Sequence, residues 1–250
     1  MIATMMQGGI KMAIMIMGAM EDVELNLLKD KLSNSEEIQN QICTFYEGKL
    51  YGYPVVLCKV GVGSINASAS TVLGIEKYKP ELIIMNGVAG AHGKEVHKGD
   101  LVISTKIINI ASVKTNLRKE GESSNPFEWE AKAWGATDID MNADEKLINL
   151  AKSIEKDYTK GNVFYGVIGS GDIWNREADR ILDLKEKYAT LCEEMEGAAV
   201  FQIAKKYNIP VIDIRVISNN EITEEEYERT LGYYSQEFVM KLVEKYFNSK

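Results

Sequence analysis

Residues 79–90 read KPELIIMNGVAG, and residues 209–219 read IPVIDIRVISN. In each stretch a proline precedes a short apolar run that ends in polar or small residues. The run MAIMIM at residues 12–17 has the same character and ends at Gly18. Continuous apolar runs of this length are typical of strands that are covered on both faces, as in parallel sheets. The three stretches therefore predict the centre of an α/β sheet.

The rest of the chain alternates apolar runs with segments of helical spacing. Further strands are predicted at residues 44–50, 54–60, 101–104, 107–110 and 163–168. Helices are predicted at residues 21–32, 65–78, 144–156, 178–188, 198–207 and 224–247. Residues 114–135 are polar and aromatic without a period, so a long loop is predicted there. This alternation predicts one α/β domain with a mixed, largely parallel sheet flanked by helices.

The composition is that of a globular protein. The 250 residues are 45% hydrophobic and 26% charged, and the formal net charge is −8. This acidic balance argues against a general nucleic-acid binder, which normally carries a basic stripe. The three cysteines, Cys43, Cys58 and Cys192, form no CxxC or Cys/His cluster, which argues against a disulfide framework or a zinc site.

The N-terminus gives no sign of export or membrane insertion. No apolar run approaches the ~20 residues that span a bilayer, and residues 1–11 lack the order of a secretory signal. We interpret residues 1–11 as an N-terminal extension and residues 12–250 as the domain. A cytoplasmic protein that binds neither nucleic acid nor membrane is predicted.

Ligands of open α/β sheets collect beyond the carboxyl ends of the strands. Unusual residues follow predicted strands at 18–24, 61–63, 86–90, 170–174 and 218–219. Residues 193–197, EEMEG, add three carboxylates directly before a helix. Such a cluster has two explanations. Acidic residues suit a solvated helix N-terminus, and an ionised carboxylate accepts two hydrogen bonds from the vicinal hydroxyls of a ribose.

Several motifs together resemble the nucleoside phosphorylase/nucleosidase superfamily, and most of all its bacterial 5′-methylthioadenosine/S-adenosylhomocysteine nucleosidases. The matching pieces are MGAMEDVE at 17–24, VGVG at 60–63, KPELIIMNGVAG at 79–90, KGDLVIS at 98–104, GSGD at 169–172, EEMEGAAV at 193–200 and IPVIDIRVISN at 209–219. The resemblance implies a single α/β domain around a mixed, partly closed sheet. It also implies a homodimer with the active site near the subunit boundary.

The resemblance implies roles for the carboxylates. A glutamate shortly after GAM activates the attacking water in this family. Glu21 and Glu24 are both candidates here, and Glu24 fits best if one residue is inserted in this turn. Glu196 matches the glutamate that binds the ribose, Met195 the residue that packs on the sugar, and Glu194 a supporting carboxylate. For Met195 a plain core position is the alternative.

The resemblance also implies a site for the base. Trp174 matches an aromatic residue that stacks on the purine, and a buried anchor of its loop is the alternative. Ser218 and Asn219 match residues that bind the purine edge, and Ala89 and Gly90 line the same part of the site.

Three features depart from the family pattern. Asn219 replaces an aspartate that acts as the catalytic acid, and an amide donates a hydrogen bond but cannot transfer a proton. Val88 replaces a serine that helps to hold the water or the ribose. Residues 114–134 do not match the family; their basic and aromatic side chains fit either a subsite for the 5′ substituent or a solvated loop.

The nucleophile is predicted to be water. Phosphorylases of the superfamily carry arginine in the first glycine loop and in the glycine strand end, and residues 18–24 and 86–93 contain none. Arg215 is predicted to pair with a buried carboxylate, Asp213 or Glu194. His92 and His97 are predicted to be surface residues, and neither a metal nor a cofactor is expected.

Three functions therefore remain open at this point. The first is a nucleosidase that hydrolyses the N-glycosidic bond of 5′-methylthioadenosine, S-adenosylhomocysteine or a related purine nucleoside. The second is a 6-oxopurine nucleosidase of the futalosine or inosine type, since the amide of Asn219 suits an oxo group. The third is a nucleoside-binding protein with degraded catalysis.

Overall fold

The computed structural model describes residues 14–134 and 139–249. The interpretation of residues 1–11 as an extension lies outside these ranges. The strands are β1 Ile14–Gly18, β2 Ser33–Gln39, β3 Thr44–Leu50, β4 Tyr53–Lys59, β5 Leu82–Ala91, β6 Leu101–Asn109, β7 Val113–Lys114, β8 Glu130–Ala131, β9 Asp140–Asn142, β10 Val163–Ser170, β11 Thr190–Glu194 and β12 Val211–Asn219. The helices are α1 Asn26–Lys31, α2 Ser64–Tyr78, α3 Glu145–Ile154, α4 Ala178–Tyr188, α5 Gly197–Tyr207 and α6 Gly232–Asn248.

The main sheet is mixed and partly closed. Its strand order is β11-β10-β6-β12-β5-β1-β4-β3-β2, with β9 added beside β6. Strand β11 pairs with β10 on one side and also with β5 on the other, so five strands form a closed ring. The predicted class, a single α/β domain with a mixed, partly closed sheet flanked by helices, is confirmed.

Strand β5 lies at the centre of the sheet and is longer than predicted. A strand was expected only at residues 82–85, with a glycine loop at 86–90, but the strand continues to Ala91. The residues NGVAG stay extended because β12 pairs with them along one side, and β11 pairs with Gly90 and Ala91 on the other. Gly90 is in register with both Glu193 and Asn219. The strand therefore places these two side chains on either side of one glycine.

The chain leaves β1 through a widened helical turn. Residues Glu21–Leu25 form a π-helical turn, and Asn26 donates its N–H to the carbonyl of Glu21. Such a turn holds one residue more than an α-helical turn and occurs often at functional sites. It agrees with the insertion expected here, and it leaves Val23, Glu24 and Leu25 buried.

One core cluster runs through most of the sheet and its covering helices, from Ile14 on β1 to Phe247 on α6. Several predicted boundaries are wrong: residues 101–104 and 107–109 belong to one strand, β6, and residues 193–194 belong to strand β11 rather than to a turn. The last helix begins at Gly232 rather than at residue 224. Among the described residues, no helix combines the length and the hydropathy that crossing a membrane requires.

Candidate active site

A cavity of about 410 Å³ opens at the carboxyl ends of the central strands. It is lined by Ala19, Met20, Glu24, Val62, Val88, Ala89, Gly90, Ile173, Trp174, Glu193, Glu194, Met195, Glu196, Arg215, Ser218, Asn219, Tyr227 and Arg229. Apart from Glu21, the second candidate for the base, every residue predicted for the site is on this wall. Tyr227 and Arg229 were not expected, since they come from a segment without a motif, and Ile173 lies in the predicted stretch 170–174 but was not singled out there.

Glu24 is buried at the floor of the cavity. One carboxylate oxygen accepts hydrogen bonds from the backbone N–H groups of Ala19 and Met20, and the other accepts from Val88 N–H at 3.1 Å. A side chain at position 87 would overlap this carboxylate, so the glycine there permits the close approach. Burial raises the pKa of Glu24, while Arg215 opposes the shift. The residue thus has the environment of a general base.

Glu21, the other candidate, lies outside the cavity. Its carboxylate receives hydrogen bonds from Lys29 at 2.7 Å and from Tyr46 at 2.7 Å, and the Lys29 contact is the main reason that its pKa falls to about 2. A group so strongly stabilised as the anion is a poor base at neutral pH. Of the two candidates, the structure places only Glu24 within reach of a ligand in the cavity.

Arg215 on β12 joins the buried carboxylates behind the cavity. Its guanidinium lies 2.7 Å from Asp213, 2.6 Å from Glu194 and 3.4 Å from Glu196. The prediction that Arg215 pairs with Asp213 or Glu194 is confirmed for both. Burial raises the pKa of Asp213 to about 7, against the opposing charge of Arg215. Since three buried carboxylates already surround the guanidinium, its positive charge is balanced within the protein and attracts a phosphate less.

Glu196 connects this network to helix α2. One oxygen faces Arg215, and the other accepts the N–H of Gly63 at 2.8 Å. Burial raises the pKa of Glu196 to about 8, although Arg215 counteracts the shift. Glu193, Glu194 and Glu196 are each at most 6% exposed, so the alternative of a solvated acidic helix start is wrong for them. Met195 is half-buried and lines the cavity beside them.

The predicted base site lies at the end of the cavity near Asn219. The hydroxyl of Ser218 is 2.9 Å from Asn219 Oδ1, and this contact orients the amide so that Nδ2 faces Glu221 at 3.4 Å. Trp174 is 56% exposed and lies edge-on to Tyr227 at 5.8 Å. The alternative that Trp174 is a buried anchor is therefore wrong. Ala89 and Gly90 form the wall between these groups.

His92 does not lie where it was predicted. It was predicted at the surface, but it is fully buried, with Nδ1 2.8 Å from Thr190 Oγ1 and Nε2 3.2 Å from Glu193. His97 is half-exposed beside Glu225, as expected for a surface residue. The imidazole is buried because β11 pairs with the end of β5, a contact that the strand prediction missed.

The loop that departs from the family pattern packs on α4. Ala131 N–H binds the hydroxyl of Tyr188 at 2.7 Å, and Arg180 contacts the Pro126 carbonyl at 3.3 Å. Its described residues, 114–134, are not on the cavity wall of this chain. Within the described ranges, no group of three or more His, Cys, Asp or Glu side chains is arranged to hold a metal ion.

A family model for the phosphorylase superfamily matches residues 13–246. The chain belongs to this superfamily. It is 32% identical over 240 residues to the 5′-methylthioadenosine/S-adenosylhomocysteine nucleosidase of Bacillus cereus strain ATCC 14579, a match that covers 94% of this chain and 99% of that protein. The corresponding Bacillus thuringiensis strain 97-27 protein is 31% identical over the same share of each chain.

Solved structures of the superfamily agree with this assignment. The Neisseria meningitidis nucleosidase of the same name, in complex with methylthio-immucillin-A, matches with a TM-score of 0.78 and 26% identity, and covers 92% of this chain and 98% of its own. The Campylobacter jejuni nucleosidase matches with a TM-score of 0.79 and 26% identity, over 94% and 99% of the two chains. The predicted resemblance to these nucleosidases is confirmed.

Proposed function

We propose that this protein is a purine nucleosidase that hydrolyses the N-glycosidic bond of 5′-methylthioadenosine and S-adenosylhomocysteine, giving adenine and a ribose derivative. One observation carries the proposal: Glu24 and Glu196 converge on a single cavity through their shared neighbour Arg215. The similarity to named nucleosidases over 94% of the chain favours these substrates over the two alternative functions.

In the proposed reaction, Glu24 orients a water molecule against the anomeric carbon and accepts its proton. The water oxygen bonds to this carbon while the C–N bond breaks, and the electron pair of that bond leaves with the base. Since the amide of Asn219 cannot transfer a proton, the departing base takes its proton from solvent water, and the product is neutral adenine. Glu196 accepts hydrogen bonds from the ribose hydroxyls, supported by Glu194, and Met195 packs on the sugar. Trp174 stacks on the purine, while Ser218 and Asn219 bind its edge beside Ala89 and Gly90.

The test is release of free base from a panel of 5′-methylthioadenosine, S-adenosylhomocysteine, adenosine and inosine, with and without phosphate. Phosphate-independent release of adenine from the first two supports the proposal. Faster turnover of inosine would instead support the 6-oxopurine alternative, which Asn219 motivates. Tight calorimetric binding without any product would support the binding-protein alternative.

We further propose that the protein is a homodimer whose partner contacts the start of α2. Ile65 is 81% exposed and Val62 is 46% exposed, and both flank Gly63, which binds Glu196. An exposed apolar patch next to a site fits an interface between two copies. Analytical ultracentrifugation should give twice the chain mass. Ile65→Glu should shift the protein towards monomers and lower its activity, whereas a monomeric wild type would contradict the proposal.

A cytoplasmic location stays a prediction.

A further inference from the structure

Residues 171–177, called here the Trp174 loop, join β10 to α4 without regular structure. Its first part is fixed because Asp172 accepts two hydrogen bonds from Ser64, at 2.7 and 2.6 Å. Its last part makes an exposed contact of 3.3 Å between Arg176 and Glu221. Such an exposed pair contributes little to order. The position of Trp174 therefore depends on what holds the middle of the loop.

The middle of the Trp174 loop is held by Glu193. One oxygen of this carboxylate accepts the backbone N–H of Asn175 at 2.7 Å, and the other accepts the side-chain amide of the same residue. Asn175 directly follows Trp174. Two hydrogen bonds from one carboxylate to the main chain and side chain of one residue fix both the path and the rotation of the loop at this point.

The contact is supported from behind by a fully buried imidazole. His92 Nε2 lies 3.2 Å from the same Glu193 oxygen that receives the Asn175 amide, a close approach without hydrogen-bond geometry, and its Nδ1 is 2.8 Å from Thr190 Oγ1. Burying a carboxylate and an imidazole costs free energy unless both are paired. Neither group has a part in the proposed chemistry, so their burial needs another explanation.

We propose that Glu193 is a positioning residue that fixes Asn175 and thereby holds Trp174 at the mouth of the cavity for stacking on the base. His92, itself held by Thr190, packs against the carboxylate. The proposal deepens the proposed function, on which it rests for its choice of ligand. It assigns a role to the first glutamate of the EEMEG sequence, which the roles given to Glu194 and Glu196 leave unexplained.

The test is a double-mutant cycle on base binding, measured by calorimetry with adenine and with hypoxanthine, using whichever binds more tightly to the wild type. Glu193→Ala should weaken binding roughly 10-fold, the size expected when hydrogen bonds to a charged group are lost. In a Trp174→Ala background the same substitution should change the affinity less than about 2-fold, because the residue it positions is gone. Glu177→Ala, at the exposed end of the loop, is the matched control and should leave the affinity unchanged.

An equal loss in both backgrounds would overturn the proposal, since Glu193 would then act on the base directly or on the whole fold. Failure of both bases to bind the wild type would overturn it as well.

If Glu193→Ala does not fold, Asn175→Ala replaces it in the same double-mutant cycle. This variant should weaken binding less, because the side-chain contact alone is removed. In kinetics, KM should rise while kcat stays nearly constant. A wild type that binds base but releases none contradicts the proposed function and leaves this cycle intact.

Discussion

Two glutamates in one turn differ in environment, and the difference predicts opposite mutational effects. Glu24→Gln should lower kcat by about 10²–10⁴, because an amide cannot take a proton from water. Glu21→Gln is the matched control and should leave kcat unchanged, since its partners Lys29, Lys59 and the buried Tyr46 lie outside the cavity. Initial rates of adenine release from 5′-methylthioadenosine measure both. An equal loss of kcat in the two variants would show that Glu24 is not the general base.

Replacing Asn219 with aspartate should increase the activity. In Asn219→Asp the hydroxyl of Ser218, now 2.9 Å from Oδ1, can still donate to the new carboxyl group. The variant acquires an acid that can protonate the leaving base, so kcat on 5′-methylthioadenosine should rise by about 10² or more. The kcat values of the wild type and of Asn219→Asp are compared on 5′-methylthioadenosine at several pH values. Asn219→Ala is the control, because alanine can neither donate a hydrogen bond to the base nor transfer a proton to it. A variant no faster than wild type would show that proton delivery does not limit this enzyme.

The site residues that could be predicted from the sequence are those that lie in contiguous motifs. Glu24, Glu196 and Asn219 are read from short stretches that end strands, and all three line the cavity. His92 and Glu193 could not be paired from the sequence, because their contact depends on β11 pairing with the end of β5. The two residues are 101 positions apart, which no local pattern spans.

At the level of elements, Arg215 on β12 contacts carboxylates of β12, of β11 and of the start of α5, and its removal should have a large effect on stability. Arg215→Met leaves Asp213, Glu194 and Glu196 buried without their cation, and the free energy of unfolding should fall by about 3–5 kcal/mol. Arg176→Met removes an exposed ion pair and should cost less than about 1 kcal/mol. Urea titrations followed by circular dichroism give both values, and similar costs for the two variants would contradict this explanation.

Elements whose apolar residues follow the strand or helix period were the predictable ones. Strand β3 and helix α4 begin and end where the sequence placed them, at Thr44–Leu50 and Ala178–Tyr188. Strand β2 was missed because SNSEEIQ has no apolar alternation and lies exposed at the sheet edge. Strand β11 was missed because its glutamates suggested a turn, while the cation that permits their burial comes from another strand.

For the whole molecule, the buried carboxylates predict that stability falls as pH rises. The pKa is about 8 for Glu196 and about 7 for Asp213, well above their ordinary values of 4.5 and 3.8. Between these limits the folded state holds more protons than the unfolded state, so the free energy of unfolding decreases with pH. Glu21, with its pKa lowered to about 2, stays ionised above pH 5 and contributes no slope there.

The measurement is the melting temperature at pH 5.5 and at pH 8. The wild type should melt lower at pH 8, and Glu196→Gln should show a smaller difference because it removes one of the titrating groups. His97 also has its pKa raised, mainly by Glu225, and contributes in the same direction. Since the variant retains His97, the comparison isolates Glu196. A steeper slope in the variant would refute the assignment.

The order of the strands along the chain determines what happens when the protein is expressed as two fragments. The segment at 115–125 connects two halves, of which the first supplies Glu24 and Val88 and the second supplies Glu196, Arg215 and Asn219. Because β5 in the first half pairs with β11 and β12 in the second, neither half can build the pocket by itself. Two separately expressed fragments divided in that segment should each lack activity and should regain it only when they associate. The chain could therefore serve as a split reporter that detects the proximity of two fused proteins.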